Sequence, residues 1–385
     1  MRVHHGLLLL AAALPLNTPQ GSPVHLAAPT TIDVEFTTIR GVLELRDGRV
    51  LVLDSQDKTI HLVDFKTKSD AHVGREGDGP GEFRLPLAIW PVGDSGVIQD
   101  MARFAQLMTV TSDGKIGGFV STIDSTLSPR SFNPRHADLS GRLYGFEMSA
   151  AGPNDSMRVV RWDVARRTRD TVARFQSSVT PPSMKESDII RDASGRVMGY
   201  RPGPMRPFMA RNTLTVSGDG RIGIVLAQPY HVEIVDARGR RAVGPPTSYT
   251  PTPVTQAEKD AFITEATKPV PTMLYGRGGE RTTTFRAQPA PKDVEWADVL
   301  PPFGYDAARF ASDGMLWVLR STRAGAPPLY DVFDAAAKRA FQLELPLRST
   351  VVGFGKGTVY LARADDDDVL HLERYPLPPS RAVRP

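Results

Sequence analysis

Three carboxylates and a larger set of cations compete to define the chemistry of this sequence. Asp54 and Glu147 each lie six residues past a glycine that opens an apolar run, Gly48 and Gly141, and Asp100 falls near the same level after Gly96. Oxygen ligands gathered from several segments would hold a hard divalent ion, calcium foremost, and an open position on that ion would polarise a substrate. At the same place further along stand Arg320, six past Gly314, and Arg363, six past Gly357, so the carboxylates cover only part of the chain. The competing account for Asp54, in DSQDK, is that its carboxylate caps its own turn. No cofactor is expected from this set alone, with calcium the one candidate ion.

A second set precedes other apolar runs: Arg84, Arg135, His136, Arg211 and Tyr305. If these segments share a face with Arg320 and Arg363, several cations surround one point, and an anionic small molecule or peptide is the matching ligand. The plain alternative is that a chain rich in arginine places some of them there by number alone. The remaining signals for chemistry are thin. His61, His231 and His371 sit within β-rich runs, and no His-Glu-x-x-His, calcium-loop or serine-elbow motif occurs. The run Asp365–Asp368 lacks the spaced ligands and glycine of a calcium loop, and four adjacent carboxylates suit a solvated turn.

The elements that must position these residues come from a repeat. A polar turn with Gly, a strand of alternating character, a connection and a second β-rich strand recur six times. The copies begin DGRVLVLD (47–54), SGVIQD (95–100), SGRLYGFE (140–147), DGRIGIVL (219–226), DGMLWVLR (313–320) and KGTVYLAR (356–363). Their glycines, Gly48, Gly96, Gly141, Gly220, Gly314 and Gly357, stand where a two-residue hairpin turn needs positive φ. Spacings of roughly 45 residues match one four-stranded blade. An all-β, six-bladed β-propeller of antiparallel four-stranded blades is therefore expected over residues 29–380. Its last copy ends one strand short, and TTIDVEF ahead of the first blade is the expected closing strand.

The stretch GREGDGPGEF (74–83) raises a separate question, because glycine-rich loops cradle phosphates. A phosphate loop needs Gly-Lys-Ser or Gly-Lys-Thr and a following helix; here the chain runs on into LAIWPVGDSG (87–96), a strand and a turn. The segment is expected to be the corner between the first and second blades. GREGDGPGEFRLP with its following strand, turn and Asp-containing strand resembles the NHL-type six-bladed β-propellers of bacteria, and the repeated phrase extends the likeness over most of residues 31–378. That resemblance implies a broad group of binding scaffolds, lyases and lactonase-like hydrolases.

Two stretches interrupt the repeat, about 177–208 and 251–300. In the second, Thr255 with Glu258 forms a capping box and Pro269 follows the expected stop, so one short helix is predicted there. LYGRGGERTTTFRAQPAPKDVEW (274–296) has the composition of a mobile loop, either a lid or a surface decoration.

The N-terminus MRVHHGLLLLAAALPL has a weakly basic start and ten apolar residues, too few to span a bilayer and suited to a signal peptide. Residues 1–28 are assigned to that leader and 381–385 to a tail, and periplasmic or secreted location follows. Cysteine is absent, which excludes disulfides, thiolate metal sites and a lipidated cysteine. The net charge of +4 comes from scattered arginines, as in RWDVARRTRD (161–170), not from the gathered face of a nucleic-acid binder. A monomer with no membrane span is expected. The leading expectation is binding of a small ligand or peptide at a channel mouth. The rivals are a metal-dependent lactonase-like hydrolase or lyase, and a protein-interaction scaffold.

Overall fold

The computed structural model describes residues 22–103, 106–123, 132–148, 156–177, 189–200, 203–275 and 281–379. The leader's first 21 residues and the tail lie outside these. Val50, Leu51, Val52 and Leu53 show how the sequence builds the fold. β-branched and leucine side chains favour extended backbone, and alternate ones point to opposite faces of the sheet. All four are fully buried, because both faces are covered. Val50 and Val52 pack with Tyr360 and Leu372, whereas Leu51 and Leu53 pack with Ile89, Ile98 and Met108. One strand thus joins two neighbouring sheets. Each such side chain contributes about 1.5–3 kcal/mol by burial.

Six blades of four antiparallel strands follow this plan, the fifth carrying one further short strand at its edge. Blade 1 is Ile39–Glu44, Val50–Asp54, Thr59–Asp64 and Ser69–His72. Blade 2 is Pro86–Val92, Ser95–Asp100, Gln106–Val110 and Ile116–Ser121. Blade 3 is His136–Ala137, Leu143–Met148, Ser156–Asp163 and Thr168–Gln176. Blade 4 is Thr213–Val216, Ile222–Ala227, Tyr230–Val235 and Arg241–Val243. Blade 5 is Phe303–Phe310, Leu316–Arg320, Leu329–Phe333 and Arg339–Glu344. Blade 6 is Ser349–Gly355, Thr358–Ala364 and Leu370–Pro376, with Thr30–Phe36 as its outermost strand.

The apolar clusters give the arrangement. Among the described residues there are six, and each joins one blade to the next: 1 to 2, 2 to 3, 3 to 4, 4 to 5, 5 to 6 and 6 to 1. The sixth closes the circle. A Cβ added to Gly41 would meet Ile89 of blade 2 at 3.3 Å and the Val352 carbonyl of blade 6 at 4.0 Å, so the inner strand of blade 1 lies between those of its two neighbours. The closing strand pairs Thr30 with Arg374, Thr31 with Glu373, Glu35 with His371 and Phe36 with Leu370. The expected ring closure is the one found.

Four details depart from the sequence-based expectation. The turns that open blades 1, 3, 4 and 5 are not two-residue loops. The Leu45 N–H bonds the Arg49 carbonyl and Gly48 N–H the Leu45 carbonyl, and the other three repeat the pattern, which makes a three-residue loop with glycine in the left-handed position. In blade 2 the turn glycine is Gly93, at φ 57; Gly96 lies inside the second strand, where an added Cβ would fall 2.5 Å from Leu43. Residues placed with the leader also enter the fold. Val24–His25 pairs in parallel with Leu343 and Glu344 at the edge of blade 5, and Val24 and Leu26 pack on its apolar cluster. Lastly, the stretch 274–296, expected to be a mobile loop, contains a strand, Arg281–Arg286, that pairs with Val270–Tyr275.

GREGDGPGEF is a corner. Arg75–Glu76 pairs with Glu82–Phe83, and the Glu82 carboxylate folds back to accept from the Gly79 amide at 2.8 Å and from Arg75 Nε at 2.7 Å. An amide that a phosphate would need is therefore bonded within the loop.

Candidate functional site

The innermost strands begin at one mouth of the ring, beside the loops that join second and third strands. Asp54 and Asp100 both stand there, and both latch the backbone. The Asp54 carboxylate accepts from the amides of Thr37 at 2.7 Å, Thr38 at 3.1 Å and Asp57 at 3.3 Å. Asp100 accepts from Arg84 at 2.7 Å, Leu85 at 3.1 Å and Ala102 at 2.9 Å. Each ties the entry of an inner strand to the loop after the second strand, and each is 1% exposed. Burial raises the Asp54 pKa, opposed by its three amide donors. Asn212 does the same work in blade 4, donating to the Gln176 carbonyl at 2.8 Å and accepting from the Ala227 amide at 2.9 Å. Glu147 pairs with Arg158 at 3.0 Å. The structure therefore does not bring Asp54, Asp100 and Glu147 together as ligands of one ion; the turn-capping account of Asp54 describes its geometry.

The cations divide by whether their charge is matched. Arg84 grips Asp78 through two bonds of 3.1 and 2.6 Å, Arg320 pairs with buried Asp331 at 3.0 Å, and Arg363 with Glu373 at 3.2 Å. Arg135 and Arg211, each exposed where the chain enters an inner strand, have no side-chain hydrogen bond or ion pair among the described residues. Two more unpaired arginines stand on inner strands, Arg40 of blade 1 and Arg309 of blade 5. Tyr305 is 79% exposed on an irregular stretch of the blade 5 inner strand, next to exposed Asp306, the one carboxylate there.

His136 stands within reach of two of these cations. It pairs with Tyr144, three residues past Gly141, and Arg309 pairs with Trp317, three residues past Gly314. The two therefore sit at one depth in blades 3 and 5, with blade 4 between them round the ring. Desolvation first, then the positive charges of Arg309 and Arg135, push the His136 imidazole down to about 4. Arg309 also bears on the buried Tyr330 hydroxyl of blade 5. Burial and the two guanidinium groups thus keep the His136 imidazole neutral beside Arg309 and Arg135.

No protein-family model matches the sequence, and no curated protein matches it either. Solved structures do resemble it. Regucalcin, a calcium-binding protein from Agrobacterium tumefaciens, is 11% identical, with a TM-score of 0.44 over 92% of this chain and 97% of that one. A luciferin-regenerating enzyme is 12% identical, with a TM-score of 0.40 over 91% and 96%. Virginiamycin B lyase from Staphylococcus aureus is 13% identical, with a TM-score of 0.36 over 91% and 99%. The chain is a six-bladed β-propeller, and that count rests on its own sheets.

The propeller's two insertions meet at the same mouth. The Met205 amide donates to the Asp293 carbonyl at 2.8 Å, Arg206 pairs with Glu295 at 2.6 Å, and Phe208, Phe262 and Trp296 pack with ring centroids 5.6–5.9 Å apart. The helix is Gln256–Ala266, with the expected capping box at Thr255 and Glu258. Glu258 also accepts from the Ala324 amide of blade 5 at 3.1 Å, and its hydrogen bonds, Thr255 first, hold its pKa at about 2. The insertions thus form one cap anchored on blade 5. Among the described residues no helix is long and apolar enough to cross a membrane.

Proposed function

We propose that this chain is an exported propeller of the NHL type that binds a small anionic ligand, a carboxylate or phosphate compound, at the centre of its ring. The observation that carries this is Arg309, which is unpaired, bears on His136 across the ring, and is joined there by unpaired Arg135. Guanidinium groups recognise carboxylate and phosphate by paired, charge-assisted hydrogen bonds, and are strongest where water is partly excluded. Arg40 and Arg211 extend the positive surface toward the mouth, and Tyr305 is exposed on the blade 5 inner strand. Export is supported by the leader-like N-terminus.

The sign of the pH dependence follows. In the free protein His136 stays neutral down to about 4, well below the ordinary 6.5. An anion seated against Arg309 and Arg135 offsets their charge, so the imidazole pKa rises and a proton is taken up on binding. Affinity for an anion that stays ionised therefore increases as pH falls through that window. NMR titration of His136, with a panel of organic carboxylates and phosphates, tests both statements. Arg309→Ala is expected to raise the free pKa and weaken binding about tenfold, roughly 1.4 kcal/mol. An ordinary His136 titration in the free protein, or anion binding that Arg309→Ala leaves intact, would defeat the reading.

A further inference from the structure

We propose that His61, Asp70 and His72 form a binding site for a divalent transition metal, zinc above all, on the outer half of blade 1. The third and outermost strands of that blade place His72 directly opposite His61. Asp70 lies two residues before His72 and so points to the same face. The three offer one nitrogen or oxygen each, all within 4.8 Å of one another. Tetrahedral zinc, with bonds of about 2.0–2.1 Å to nitrogen and oxygen, sets its ligands roughly 3.3 Å apart. His61 Nδ1 already lies 2.9 Å from the Asp70 carboxylate, so small side-chain rotations bring the set to that spacing.

The surroundings favour a metal over a simple ion pair. Among the described residues Asp70 has no arginine or lysine partner, and its carboxylate bonds only to His61. His72 is exposed, and its ring meets that of His61 at 4.5 Å with neither nitrogen hydrogen-bonded. His61 is nearly buried, its Nε2 lies 3.0 Å from the Thr59 hydroxyl, and Phe36 stands edge-on at 5.0 Å. A histidine ligand usually donates its second ring N–H to an oxygen, which fixes the tautomer. Thr59 is that acceptor, so Nδ1 of His61 is the atom left for the ion. Without metal, the neutral ring carries its proton on Nδ1, which donates to the carboxylate, while Nε2 accepts from the Thr59 hydroxyl; when the ion binds, the ring proton moves to Nε2, which donates to Thr59, and the Nδ1 lone pair takes the metal. Asp70 and His72 are exposed, so the fourth position opens to water. Imidazole with a carboxylate suits zinc, copper or nickel better than calcium or magnesium.

Cobalt(II), which takes zinc's place and absorbs in the visible when tetrahedral, is the probe, added to the full chain and to His72→Ala. His72 is exposed, so its removal leaves the fold in place. The expected result is one cobalt per site with tetrahedral bands, displaced by zinc, and loss of both bands and zinc-dependent thermal stabilisation in His72→Ala. Asp70→Asn should weaken binding while keeping the hydrogen bond to His61. A wild-type protein that shows no such bands, or a His72→Ala protein that binds equally well (as it would through His4 and His5), overturns the proposal.

Discussion

Removing Thr30–Phe36 should leave a chain that no longer folds to a stable monomer, although it keeps three strands of every blade and all four of five. The strand supplies Ile32 and Phe36, 4% and 3% exposed, to the cluster that joins blade 6 to blade 1. Without it, the Leu370–Pro376 strand loses its pairing partner and Leu372 its cover. An exposed strand edge beside an uncovered apolar face invites pairing with another chain, so aggregation is the expected form of failure. The milder Phe36→Ala change should cost about 3–5 kcal/mol, the range for truncating a buried aromatic. Urea unfolding followed by circular dichroism measures it. A truncated chain that unfolds at the wild-type midpoint would mean that the N-terminal strand decorates a ring already closed.

Asp331→Ala should be nearly as damaging. Asp331 is fully buried in the third strand of blade 5. One carboxylate oxygen accepts from the Tyr230 hydroxyl at 2.9 Å and from Arg320 at 3.0 Å; the other accepts from Gln342 at 2.9 Å and Arg339 at 3.3 Å. Arg320 also donates to the Pro302 carbonyl at 2.8 Å and lies over the rings of Tyr230 and Tyr249. Burial first, and then the Asp331 charge, raise the Tyr230 pKa far above its ordinary value, so the phenol keeps its proton and donates. Alanine at 331 strands the Arg320 charge, whose side chain is only 9% exposed, at a cost of about 3–5 kcal/mol. Pairing the change with Arg320→Met should recover part of the loss, because an apolar pair avoids the unmatched charge. If the double variant is as unstable as the sum of the singles, the pair is not the hub described here.

The propeller was legible in the sequence because each blade repeats one short physical statement, a glycine turn followed by side chains that alternate between two neighbours. Blade 2 obscured it, since Ser95-Gly96 imitates the other turns while the chain reverses two residues earlier at Gly93-Asp94. The Arg281–Arg286 strand was hidden by its threonines, which carry the β-branched signal without an apolar one. Val24–His25 was hidden by its place beside a leader-like run.

The candidate site was less legible, for a reason that strand periodicity cannot supply. An arginine at a strand entry has the same local sequence whether or not a carboxylate waits opposite. Arg84 meets Asp78 and Arg320 meets Asp331, and only the fold brings those partners in. Among the described residues Arg135 and Arg211 meet none, and Arg309 gives no local signal because the irregular stretch from Gly304 to Ala307 shifts its register against the second strand. Paired carboxylates misled in the same way: Asp54 and Asp100 repeat because two blades need the same backbone latch.

The absence of cysteine makes the ring itself open to a clean test. Glu35 of the N-terminal strand faces His371 of blade 6, 336 residues away along the chain. Opposed residues of antiparallel strands have Cα atoms about 4.5–5.5 Å apart, within the span a disulfide bridges. Glu35→Cys with His371→Cys should therefore oxidise to one intrachain disulfide, found by mass spectrometry of the linked peptides, and stabilise the protein by about 2–4 kcal/mol. A pair that stays reduced under oxidising conditions, or links only between molecules, would contradict a propeller closed by its own N-terminal strand.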